Sequence, residues 1–129
     1  MKRIIAVSFI VIIGLFASLG MGTSLAESPA TDKVWEWTPA SYAKVLRQYD
    51  ISEKDIETIL RVLKCESNFR SIQSEIIRNG VREPSFGIAQ IHLPSHSGVT
   101  KEQALDEEFS IHWTAKKWKS GFRNWSCYK

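Results

Sequence analysis

Much that would mark other functions is missing from this sequence. It has no internal repeat and no low-complexity tract, so 129 residues with 24% charged and 43% hydrophobic read as one globular domain. Cysteine is scarce, with only Cys65 and Cys127, and none directly follows the N-terminal leader, so a lipid-anchored lipoprotein is not indicated. No serine sits in a strand–turn–helix elbow, which disfavours a serine hydrolase. A clustered basic face is absent too, and without it nothing points to nucleic acid. The net charge of +3 includes Lys2 and Arg3; without them, 15 basic residues face 14 acids.

What is present begins with that leader. Lys2 and Arg3 precede an apolar run from Ile4 to Phe16, broken only by Ser8 and Gly14, and Ser24-Leu25-Ala26 supplies small residues where a signal peptidase inspects them. We read residues 1–26 as a signal peptide and 27–37 as an exported N-terminal segment. The protein is then exported to the cell envelope, periplasmic or extracellular, with no stable membrane insertion after cleavage. The rival is an uncleaved anchor, because the apolar stretch approaches bilayer-spanning length. In an oxidising compartment an even cysteine count favours a Cys65–Cys127 disulfide. Closing so long a loop is worth roughly 4 kcal/mol in the chain-entropy model. Such a bond fastens the C-terminus directly beside Glu66.

The remainder reads as helices with marked ends. Trp35 and Trp37, in an alternating stretch, suit either a brief extended segment or a groove wall. Thr38-Pro39 starts a helix whose stripe is Tyr42, Val45, Leu46 and Tyr49. Ser52 caps a second helix with Asp55 three positions on. The two form a helical hairpin. Ile72, Ile76 and Ile77 allow a short helix stopped at Asn79-Gly80, and residues 82–85 read as a polar loop. Phe86–Ile91 fits a strand or a buried helix equally well. Thr100 and Gln103 form a capping box for a short helix. Asp106 caps the last helix, with acids first, Lys116, Lys117 and Lys119 last, Gly121 beyond its end, and Ile111, Ala115 and Trp118 as its buried stripe. A compact, mainly α domain over 38–129 is the expected fold.

One position breaks the pattern. Ile56, Ile59, Leu60 and Leu63 recur at i, i+3, i+4 and i+7, and the same steps continue to Glu66 and Ser67. A carboxylate there costs free energy unless it is paired, hydrogen-bonded or protonated. A carboxylic acid held protonated near neutral pH is a proton donor. A fray after Leu63, turning Glu66 to solvent, is the alternative. Glycosidases of the usual kind need two carboxylates, yet no second acid occupies a comparable stripe. Glu75 and Asp106 are the possible partners, and Asp106 has a simpler reading as an N-cap.

Glu66-Ser67 at a helix end, followed by Ser85-Phe86-Gly87-Ile88-Ala89-Gln90-Ile91, resembles the E-S pair and S-x-G-L-M-Q-like stretch of the soluble lytic transglycosylases. Ala104 to Ile111 is similar to that family's later A-x-D-P-x-x-N-I element. The resemblance covers most of residues 52–120 and implies a lysozyme-like α-helical fold. It also implies cleavage of peptidoglycan between N-acetylmuramic acid and N-acetylglucosamine, by a monomer, with no cofactor. By position, Glu66 is the single acid/base. It protonates the glycosidic oxygen and then takes the proton of the muramyl C6 hydroxyl as the anhydro ring closes. Ser67 orients that carboxylate. Gln90 holds the sugar with the backbone at Ile88 and Ala89, beside Ser85 and Gly87; a turn glycine explains Gly87 equally well.

The chain departs from the family after Trp118. An A-Y-N-x-G-like motif, whose tyrosine contacts the glutamate, is missing from the tail Gly121–Lys129. The expectation is that the disulfide holds this tail over the cleft, so that Tyr128 or Trp125 substitutes. One acid acting twice suits a transglycosylase; a hydrolytic lysozyme and a non-catalytic wall-binding module are the alternatives. His92 and His96 are four apart, but Pro94 between them breaks the helical register of a metal pair, and no metal is expected. Of the tryptophans, Trp113 and Trp118 read as packing residues.

Overall fold

The computed structural model describes residues 36–129. The signal-peptide reading of 1–26, most of the segment 27–37, and Trp35 lie outside the described residues. Four α-helices carry most of the regular structure. Helix α1 spans Pro39–Arg47. Its N-cap Thr38 accepts from the Ser41 amide at 3.2 Å, and proline occupies a first-turn position where no donor is lost. Helix α2 spans Glu53–Ser67, opened by Ser52 accepting from the Asp55 amide at 3.2 Å. It closes on the cap Asn68 in the left-handed conformation at φ 52°, so the helix runs through Glu66 and Ser67 rather than fraying at Leu63.

The apolar stripes do what their spacing requires. Tyr42, Val45 and Leu46 of α1 and Ile56, Ile59 and Leu63 of α2 are buried in one core, with Tyr49 and Leu60 partly covered. Helix α4, Glu107–Lys119, adds Ile111, Ala115 and Trp118, and packs on α1. Burial drives the Tyr42 phenol well above its ordinary value, and the negative charge of Glu107 on α4 adds to the rise. Helix α3, Lys101–Leu105, carries the full capping box between Thr100 and Gln103. Asp106 ends α3 and caps α4, accepting from the Phe109 amide at 2.6 Å.

Between α2 and α3 the chain is not helical. Strand β1, Ile77–Arg78, pairs antiparallel with β2, Val81–Arg82, in the register Ile77 with Arg82 and Arg78 with Val81. Asn79 and Gly80 both have positive φ, 52° and 77°. Two such residues make the tight turn whose twist matches a hairpin. The helix expected over Ile72–Ile77 does not form: the chain runs irregularly through Ile76 into the hairpin, because Asn-Gly serves a helix stop and a hairpin turn alike. Neither reading expected for Phe86–Ile91 matches either. Strand β3, Ser85–Phe86, pairs with β4, Ile91–His92, and Gly87–Gln90 form the tight connection. Pro94 sits in a 3₁₀ turn, Leu93–Ser95.

Cys65 and Cys127 are bonded, with Cα atoms 6.0 Å apart. The tail is also held by aromatics. Trp125 is buried against Phe122, Trp113 and Trp118, with ring centroids 4.9, 6.4 and 6.2 Å away. Trp37 stacks on Tyr42 at 5.5 Å, so it packs at the start of α1 rather than walling a groove.

Candidate active site

The end of α2, the connection between β3 and β4, the β1–β2 hairpin base and the tail enclose a cleft of about 770 Å³. That is ample for a ligand of several rings. Glu66, Ser67, Ser85, Ala89 and Gln90 line it. Gly87 and Ile88 lie behind this wall. Tyr128 is outside it, set edge-on to Trp118 at 5.6 Å and facing the Arg123 guanidinium.

Glu66 is half-buried, and the tail supplies its donors. Its Oε1 accepts from the Cys127 main-chain amide at 2.8 Å, and the neighbouring Ser126 amide also favours the ionised carboxylate. Desolvation pushes the Glu66 carboxyl above the usual carboxylate range; the two amides pull it back, and the negative charge of Glu83 adds to the rise. Burial wins this balance, so the carboxyl is shifted towards the protonated form that can donate.

Ser67 takes a different part in the cleft from the one expected. Its buried hydroxyl bonds to the Ile88 carbonyl at 2.8 Å and, at 3.2 Å, to the Leu63 carbonyl of its own helix. Both partners are backbone carbonyls, so it ties the end of α2 to the Gly87–Gln90 connection. Replacing Ser67 by Ala leaves the Ile88 carbonyl without this donor. A loss of about 1–3 kcal/mol is expected in urea unfolding, and a loss below a few tenths would show that water replaces the bond.

Gln90 holds the connection in shape. Its Nε2 donates to the carbonyls of Ile72 at 3.1 Å and Gly87 at 2.8 Å, from a backbone at φ 48°. Gly87 closely approaches the carbonyl of Ala104 in α3, so the backbone contact that needs glycine is with the scaffold. Ser85, on β3, is buried, and its carbonyl accepts from the Ser74 amide at 2.8 Å.

Other residues of the cleft carry more than their sequence context suggested. Glu83 follows the hairpin in what read as a plain polar loop. Its amide bonds to the Ile76 carbonyl at 2.8 Å, and its carboxylate meets Ser74 Oγ at 3.4 Å inside the cleft. Glu75 also lines the cleft but is exposed and pairs with Arg70 at 3.7 Å. Asp106 is occupied as a cap. Trp113 lines the cleft as well as packing, and His96 sits edge-on to it at 5.0 Å. Burial, with Lys117 and His92 nearby, pushes the His96 imidazole down and favours its neutral form. His92 bonds through Nδ1 to Ser95 Oγ at 2.8 Å. An aliphatic repeat on α2 could not reveal these neighbours, because each comes from a distant part of the chain: Glu83 from beyond the hairpin, His96 from the turn after β4, and Trp113 from α4.

Searches against protein-family profiles, curated proteins and solved structures find no match to this chain.

Proposed function

We propose that the protein is a lytic transglycosylase of lysozyme-like fold that cleaves the glycan strands of peptidoglycan after export. The observation that carries this reading is Glu66: a half-buried carboxyl, raised by desolvation and steadied by two amides, facing a large cleft. A protonated Glu66 donates to the glycosidic oxygen between N-acetylmuramic acid and N-acetylglucosamine. As a carboxylate it then takes the proton of the muramyl C6 hydroxyl, whose oxygen closes onto the anomeric carbon. Trp113 lines the cleft and adds aromatic surface of the kind that suits a sugar. Ser85, Ala89 and Gln90, which also line the cleft, hold the strand.

Glu83 favours a second reading, hydrolysis. It shares the cleft with Glu66 and acts on it electrostatically, and a second carboxylate is what activates water or traps a glycosyl intermediate in ordinary glycosidases. Incubating purified peptidoglycan with the protein and analysing the products separates the readings. Anhydromuramyl ends, lost in Glu66→Gln, are expected. Reducing muramyl ends would replace this reading with the lysozyme one, and binding without release would leave a wall-binding module.

A further inference from the structure

The tail donates to Glu66 from main-chain atoms, and its placement is over-determined. Cys65 is the residue before Glu66 in the last turn of α2, so the bond to Cys127 brings the tail to that carboxylate. Trp125, buried among the rings of Phe122, Trp113 and Trp118, anchors the other side. Between the anchors the chain makes one turn, closed by the Tyr128 amide donating to the Trp125 carbonyl at 3.0 Å. Ser126 and Cys127 are its two central residues; the Cys127 N–H donates to Glu66 Oε1 at 2.8 Å, and the Ser126 N–H acts on the same carboxylate.

We propose that the Trp125–Tyr128 turn, fastened by the Cys65–Cys127 disulfide, is a positioning element of the active site: its main-chain amides fix the Glu66 carboxylate for proton transfer. The proposal rests on the transglycosylase reading only for the word transfer; the clamp itself is a property of Glu66 and the tail. A carboxylate in the last turn of a helix faces the negative end of the helix dipole. It therefore needs donors from outside the helix, and a clamp made of backbone cannot rotate away as a side chain can. This also assigns the tail's contribution to Ser126 and Cys127 rather than to the ring of Tyr128.

The groups around Glu66 set the sign of the test. Glu83 raises its carboxyl, the two amides lower it, and Lys64, Arg70, Glu75, His92 and His96 line the same cleft. Ser126 is the first central residue of the turn, a position that proline fills readily. Ser126→Pro therefore removes one N–H while leaving the turn and disulfide. With burial unchanged and one donor gone, the Glu66 carboxyl rises further. We expect its ¹³C shift to titrate at higher pH than in the wild type, and the alkaline limb of glycan cleavage to move up with it. The rate at the optimum falls by about tenfold to a hundredfold from misplacement. Ser126→Ala keeps the N–H and is expected to titrate as the wild type does.

Amide protons supply a check that does not depend on Ser126→Pro folding: in the wild type those of Ser126 and Cys127 shift in step with Glu66, and in Glu66→Gln they stop doing so. Amides that ignore the Glu66 titration overturn the clamp, as does a folded, disulfide-bonded Ser126→Pro that titrates unchanged. A moved titration in a protein that cleaves no glycan supports the clamp and overturns the transglycosylase reading.

Discussion

Glu66→Gln is expected to lower glycan cleavage by about a thousandfold, the usual contribution of a positioned acid, without unfolding the protein. The amide side chain matches the carboxyl in shape, and its oxygen accepts the Cys127 amide as Glu66 Oε1 does at 2.8 Å. What the variant lacks is a proton to give. The same substitution makes a stability prediction of definite sign. Desolvation raises the folded-state carboxyl of Glu66 above its unfolded value. The native state therefore favours the protonated form, and that contribution is complete below the unfolded value near 4.5 and lost as pH rises through the folded one. Gln carries no charge to desolvate. Thermal melts should show Glu66→Gln gaining on the wild type as pH rises from acid to neutral. A variant that loses ground over that interval would mean that ionised Glu66 is favoured by its surroundings, contrary to the balance drawn here.

The same residue shows how far sequence reaches. Ile56, Ile59 and Leu63 define a face by local spacing alone, and the face is buried as spacing requires. Caps at Thr38, Ser52, Thr100 and Asp106 were equally legible, because a side chain bonding to an amide three residues on is a local event. Glu66 stood out as an anomaly on that face. Its environment did not, since both donors lie about sixty positions away in sequence, brought in by the disulfide. Glu83 escaped notice for a related reason. Its hairpin turns on Asn79-Gly80, a pair that also ends helices, and only tertiary context distinguishes the two. The phenol of Tyr128 was the natural substitute for a missing tyrosine; the groups that reach Glu66 carry no side-chain signature at all.

Gly87→Ala is expected to cost about 4–5 kcal/mol or more, a magnitude reached only by a few mechanisms. Two of them act here. A Cβ at Gly87 falls 1.7 Å from the carbonyl oxygen of Ala104 and 2.9 Å from Ser110 Oγ. Neither neighbour yields easily. The Ala104 oxygen belongs to helix α3, and the buried Ser110 hydroxyl donates to it at 2.7 Å. The backbone at Gly87 is also at φ 78°, where an L side chain costs roughly 1–2 kcal/mol. Gly80→Ala isolates this second effect, because Gly80 has nearly the same φ of 77° with nothing within 4 Å of its Cβ position. Urea unfolding of the two variants should therefore differ by the steric part alone. Equal losses would show that the connection shifts freely off α3. If it does not, the damage extends to the site: Ile88, next in the chain, gives its carbonyl to Ser67, the neighbour of Glu66. A Gly87→Ala protein that retains its fold should then show reduced cleavage, with the Glu66 side chain itself untouched.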